Sequence, residues 1–126
     1  MSMRTPLARA RGLGSAKEGV HHWWAQRATA VALIPLSLWF VGAVVELIGM
    51  DYLGLKAWMS VHGNLTMMIL FISALFWHAQ LGVGVVIEDY VHNETIKNIA
   101  LVAARVISLV MGASTIIAIV RISFGG

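Results

Sequence analysis

Three apolar segments, each long enough to cross a bilayer, occupy most of this 126-residue chain. Nothing else in the sequence restricts the fold as strongly. Inside hydrocarbon a backbone must satisfy its own hydrogen bonds, which leaves helices or a closed barrel. Barrel strands are about ten residues long and alternate in polarity, whereas these runs are about twenty residues and apolar throughout. The expected fold is an all-α membrane protein with three transmembrane helices, at about 28–48, 65–87 and 99–120. Residues 1–27 form a basic arm ahead of this anchor.

The first span, Ala28–Ile48, carries one charge, Glu46, near its end. Pro35 removes a backbone donor and crowds the preceding turn, which predicts a kink. A short link with Asp51 and Tyr52 follows. The second span has 23 residues and rises about 35 Å, enough for a ~30 Å hydrocarbon layer. A polar stretch, Glu88–Asn98, separates it from the third span, which holds Arg105 in its first turns and ends at Arg121.

Charge sets the orientation. Of the nine basic residues, Arg4, Arg9, Arg11, Lys17 and Arg27 precede the first span, and the first link holds only Lys56. The positive-inside rule then places the N-terminus and the Glu88–Asn98 loop in the cytoplasm and the C-terminus outside. Trp23, Trp24, Tyr52, Trp58 and Tyr90 fall near the expected interfaces, where amphipathic aromatics are favoured. An Arg-rich, acid-free start is also a property of transit peptides. A short cytoplasmic arm is the simpler expectation, and it favours a bacterial inner membrane over the mitochondrial alternative.

Composition excludes several function classes. Only 12% of residues are charged and 59% are apolar, against about a quarter charged in soluble domains. A self-contained soluble enzyme is excluded, and the basic balance does not signify nucleic-acid binding. Cysteine is absent, which removes disulfides, iron–sulfur ligation and thiolate zinc sites. Any metal or redox chemistry in this chain must use histidine. Three helices make a thin bundle, which implies a membrane partner.

His78 sits near the middle of the second span, in Leu75-Phe76-Trp77-His78-Ala79-Gln80-Leu81-Gly82. An ionisable group there costs a few kcal/mol or more unless paired or coordinated. Two readings stand: a neutral histidine hydrogen-bonded to a neighbouring helix, or an axial ligand of haem iron. Gly82, one turn on, removes the side chain that would block a flat macrocycle. One histidine at this depth supplies one ligand only.

Asp89 and Tyr90 close the second span on the cytoplasmic side. They are either ordinary helix punctuation or a carboxylate–phenol pair for a quinone carbonyl and its protons. Arg27, at the mouth of the first span, either snorkels to lipid phosphate or pairs with an acidic cofactor group such as a haem propionate. His21 lies near the same interface. Arg105 is too deep for easy snorkelling, and a structural partner, Asp89 or Glu88, is expected. His62 and His92 are expected to face water.

The stretch from His21 to Arg27-Ala28-Thr29-Ala30, followed by His78-Ala79-Gln80-Leu81-Gly82 and Asp89-Tyr90-Val91, resembles the smaller membrane-anchor subunit, the D chain, of succinate dehydrogenase (respiratory complex II). The resemblance covers nearly the whole chain. Each motif alone is weak; their order, spacing and topology together are specific. The resemblance implies a partner anchor subunit, the C chain, also with three spans, and one haem b held between the two chains. An iron–sulfur subunit and a flavoprotein subunit would dock on the cytoplasmic face, carrying the clusters and the flavin. His78 matches the haem-ligand position and Tyr90 the tyrosine that hydrogen-bonds ubiquinone, with Asp89 its acidic neighbour. Arg27 and His21 match residues near the haem propionates. The His21-His22 doublet departs from the family pattern and leaves the propionate partner ambiguous, and Arg105 matches no family role.

The expected function is the membrane anchor of a succinate:ubiquinone oxidoreductase, active only as a subunit. The alternatives are the anchor of a quinol:fumarate reductase, a small transporter subunit relaying protons through His78 and Arg105, and an accessory subunit without cofactor.

Overall fold

The computed structural model describes residues 6–7 and 17–125; the other residues of the basic arm lie outside the described residues. Among the described residues from 17 onward, four helices follow in order: α1 (Lys17–Leu47), α2 (Tyr52–Met59), α3 (His62–Tyr90) and α4 (Glu94–Phe124). No strand occurs among the described residues. With 31, 29 and 31 residues, α1, α3 and α4 each rise about 43–47 Å. All three are long and apolar enough to cross a membrane.

Local chemistry places the ends. Gly49, at φ +83°, turns the chain out of α1, and the Met50 N–H donates to the Leu47 carbonyl at 3.1 Å. Such a left-handed residue is the usual way to stop a helix. The Asp51 carboxylate then accepts from the Gly54 N–H at 2.8 Å, starting α2 as an N-cap. Asn93 does the same for α4, accepting from the Ile96 N–H at 3.1 Å. Glu94 in the first turn suits the helix dipole and lies 3.3 Å from Lys97 Nζ.

The helices extend beyond the expected spans. α1 begins at Lys17 rather than Ala28, because nothing in the His21–Arg27 stretch breaks a helix. α3 and α4 likewise start ahead of their apolar cores. The short helix α2 within the first link was not expected. α1 is continuous through Pro35.

The middle helix is α3, packed along α1 on one side and α4 on the other. The densest packing lies at the α2 end, where Ala43, Trp58, Met59, Met68, Phe71 and Ile119 form a buried cluster. Trp39 stacks on Trp58 with ring centroids 6.0 Å apart, and Phe40 on Phe71 at 4.5 Å. The Ser60 hydroxyl, 2.7 Å from the Lys56 carbonyl and 2.9 Å from the Ser123 carbonyl, ties α2 to the end of α4. Gly112 of α4 faces Phe76 of α3 so closely that a Cβ would stand 3.4 Å from its ring. Outward faces remain apolar: Ile34, Leu38, Val45, Leu109 and Ile117 are all exposed. Faces of this kind need lipid or partner chains to cover them.

Candidate functional site

His78 lies near the middle of α3, half-buried on the side that meets α1. Opposite it on α1 is Thr29, the buried polar residue among those described. Thr29 Oγ1 stands 3.0 Å from His78 Nδ1. The same hydroxyl reaches back along its own helix, 2.7 Å from the Ala25 carbonyl and 3.1 Å from the Gln26 carbonyl. One ring nitrogen is thus tied to α1, and Nε2 has no hydrogen-bond partner among the described residues. Gly82 follows one turn later, and a Cβ there would meet no atom within 4 Å. Packing inside this chain therefore does not demand the glycine; the face beside His78 is open outward.

Since α3 runs unbroken from His62 to Tyr90, Asp89 returns to within about 20° of the His78 face, about 16 Å along the axis. Asp89 and Tyr90 are exposed, Tyr90 to 77%. The Tyr90 hydroxyl makes no hydrogen bond among the described residues. The Val91 N–H closes the helix on the Ile87 carbonyl at 2.9 Å, so the pair stands where the chain leaves α3.

Arg27 and His21 both lie on α1 and are exposed. The Arg27 guanidinium sits 5.6 Å from the Trp23 ring centroid, within cation–π range. Trp23 in turn meets Trp24 edge-on, 5.1 Å between centroids. The Thr29–His78 contact places Arg27 only about 3 Å along the helix axis from the level of His78. It therefore lies inside α1 rather than at the helix start. His21 stands about 12 Å further along the axis from Thr29, with His22 half-buried beside it.

The expected partners of Arg105 are not its partners. The one ion pair among the described residues joins Lys97 and Glu94. Arg105 lies about 16 Å into α4 from Glu94, well below Glu88 and Asp89 at the loop end of α3, farther than its side chain spans. It lines a cavity of about 550 Å³ between α3 and α4, with Phe76, Trp77, Gln80, Ser108 and Gly112. Neither His78 nor the Asp89–Tyr90 pair lines this cavity. His62 and His92 are exposed, as expected.

Thr29 is the site residue that sequence reasoning passed over. Its only signal is a lone hydroxyl in Arg27-Ala28-Thr29-Ala30, leading into an apolar run. Its partner is 49 residues away, and no local pattern couples the two.

A family model described as the succinate dehydrogenase/fumarate reductase transmembrane subunit matches residues 1–117. The succinate dehydrogenase hydrophobic membrane anchor subunit of Paracoccus denitrificans is 33% identical over 125 residues, covering 96% of this chain and 93% of that protein. The protein of the same name from Rickettsia bellii (strain RML369-C) is 32% identical over 117 residues, covering 92% and 93%. The succinate dehydrogenase membrane anchor subunit of Reclinomonas americana is 33% identical over 96 residues, covering 74% and 80%. No solved structure matches the chain.

Proposed function

The chain belongs to the succinate dehydrogenase/fumarate reductase transmembrane subunit family, and on that premise we propose that it anchors a succinate:ubiquinone oxidoreductase and helps build its haem b and ubiquinone sites. One observation carries the proposal: a histidine deep in a membrane helix, held through Nδ1 by Thr29, with Nε2 left without a partner. A half-buried imidazole that served only to tie two helices would need no open face beside it. Gly82 leaves that face clear.

The donor set fits haem better than a protein-built metal site. Among the described residues no three His, Asp or Glu side chains cluster as ligands. Haem would ask this chain for a single imidazole, which His78 would supply through Nε2, and the partner anchor subunit would supply the other protein ligand. Haem b, when bound, supplies a one-electron store beside the quinone path. Arg27, near the depth of His78, would pair with a propionate, with His21 or His22 further toward the helix start.

At the loop end of α3, the Tyr90 hydroxyl would donate to a ubiquinone carbonyl, and Asp89 would hold a proton for the same oxygen. Reduction to quinol takes two electrons and two protons. The electrons come from the iron–sulfur and flavoprotein partners, and Asp89 and Tyr90 serve the protons. The surplus of basic residues ahead of α1 favours the N-terminus and this loop in the cytoplasm of a bacterium, with the complex in its inner membrane.

The test is a reduced-minus-oxidised absorption spectrum of the complex purified through a tag on this chain. A b-type haem band that is lost or altered in His78→Ala supports the proposal. A wild-type complex without haem leaves the bare-scaffold and transporter readings standing. An unchanged six-coordinate haem in His78→Ala moves the ligand elsewhere.

A further inference from the structure

We propose that Thr29 is a positioning residue that fixes the tautomer of His78 and strengthens Nε2 as a donor to iron. The claim rests on the reading of His78 as the haem ligand. It follows from counting protons around one oxygen. A threonine hydroxyl has one hydrogen to give and two lone pairs to receive. Thr29 Oγ1 is 2.7 Å from the Ala25 carbonyl oxygen, the ordinary length of an O–H···O hydrogen bond. Two oxygens that close, with no hydrogen between them, would repel. The hydroxyl hydrogen therefore lies on the Ala25 side, the back-bonding to the preceding turn that Ser and Thr make in helices.

With its hydrogen spent there, Oγ1 can only accept from His78 Nδ1 across the 3.0 Å contact. Nδ1 then carries the ring proton, and Nε2 carries the free lone pair. The opposite tautomer would leave Nδ1 and Oγ1 facing each other with no proton to share. Metal-binding histidines are commonly oriented in this way, by donation from the ring nitrogen that does not bind the metal. Here the acceptor sits on a different helix, so the α1–α3 packing itself aims the ring. Hydrogen bonding at Nδ1–H also draws that proton away from the ring and raises electron density at Nε2. A more basic ligand favours ferric over ferrous iron.

The experiment compares redox titrations of the haem in the intact complex carrying Thr29→Val, Thr29→Ser or the wild-type residue. Valine keeps the branched shape and removes the hydroxyl; serine keeps the hydroxyl. Thr29→Val should retain haem but weaken the preference for the ferric state about three- to tenfold. At 59 mV per tenfold for a one-electron couple, the midpoint rises by about 30–60 mV. The low-spin ferric resonance should shift with it, and Thr29→Ser should stay near the wild type in both. Should Thr29→Val not assemble, Thr29→Ala removes the hydroxyl without adding an atom and carries the same expectation. An unshifted midpoint in the hydroxyl-free variants overturns the proposal, while haem loss in His78→Ala would leave the ligand assignment intact. Equal shifts in the valine and serine variants overturn it as well, since shape and not the hydroxyl would then matter. Retention of six-coordinate haem in His78→Ala removes both claims together.

Discussion

Replacing Tyr90 with phenylalanine isolates a single hydroxyl at the loop end of α3. The ring keeps its shape and apolar area, and the helix end is held by the Val91 N–H on the Ile87 carbonyl, which the substitution leaves alone. Tyr90 is 77% exposed and its hydroxyl bonds nothing among the described residues. The stability of the chain should therefore change by less than about 0.5 kcal/mol, as for other surface substitutions. Any loss of rate then belongs to the substrate. A donor to a quinone oxygen gains strength as that oxygen acquires charge. Hydrogen bonds to charged groups contribute about 1.5–3 kcal/mol, or roughly a ten- to 150-fold loss in rate at 1.36 kcal/mol per tenfold. Water entering at this exposed position favours the lower end. The assay measures succinate-driven ubiquinone reduction beside succinate oxidation by a water-soluble dye that takes electrons upstream. The quinone activity should fall and the dye activity should hold. A parallel fall would mean that the substitution disturbs docking of the catalytic subunits. Wild-type values in both would refute a role for the hydroxyl.

Two further substitutions probe the chain around the site. Arg27→Gln removes the charge that lies over Trp23 and, with it, a charge-assisted bond to a propionate. Haem occupancy should fall or its midpoint move, whereas an identical titration would leave Arg27 to lipid. Gly112→Val pushes γ-carbons into Phe76, where even a Cβ stands 3.4 Å away. Overpacking of this kind costs about 1–3 kcal/mol, seen as a lower thermal midpoint of the complex in detergent, with Gly112→Ala close to the wild type. An unshifted midpoint for the valine variant would mean that Phe76 swings aside freely.

The three membrane-length helices were legible because an apolar run of about twenty residues has few ways to satisfy its backbone in hydrocarbon. Helix ends were less legible. Apolarity marks where a segment enters the membrane, but an N-cap such as Asn93 and the left-handed Gly49 decide where a helix starts or stops. Helix α2 went unread because an eight-residue helix between two spans shows no long periodicity. His78 stood out because an ionisable residue in mid-span is expensive. Thr29 did not, because a hydroxyl in a helix can return to its own backbone at little cost. Only the packing of α1 on α3 shows that it also meets His78. The misplaced expectation for Arg105 has the same origin: nearness in the sequence pattern ignored about 16 Å of helix rise.

The central claim is that His78 presents Nε2 to haem iron while Thr29 holds Nδ1. The most direct measurement is a cryo-electron microscopy map of the complex purified through a tag on this chain. The account predicts continuous density from His78 Nε2 to an iron centre shared with a second three-span chain, with Thr29 Oγ1 still at hydrogen-bond distance from Nδ1. A map with His78 Nε2 facing lipid or another side chain, and any haem ligated elsewhere, would contradict it.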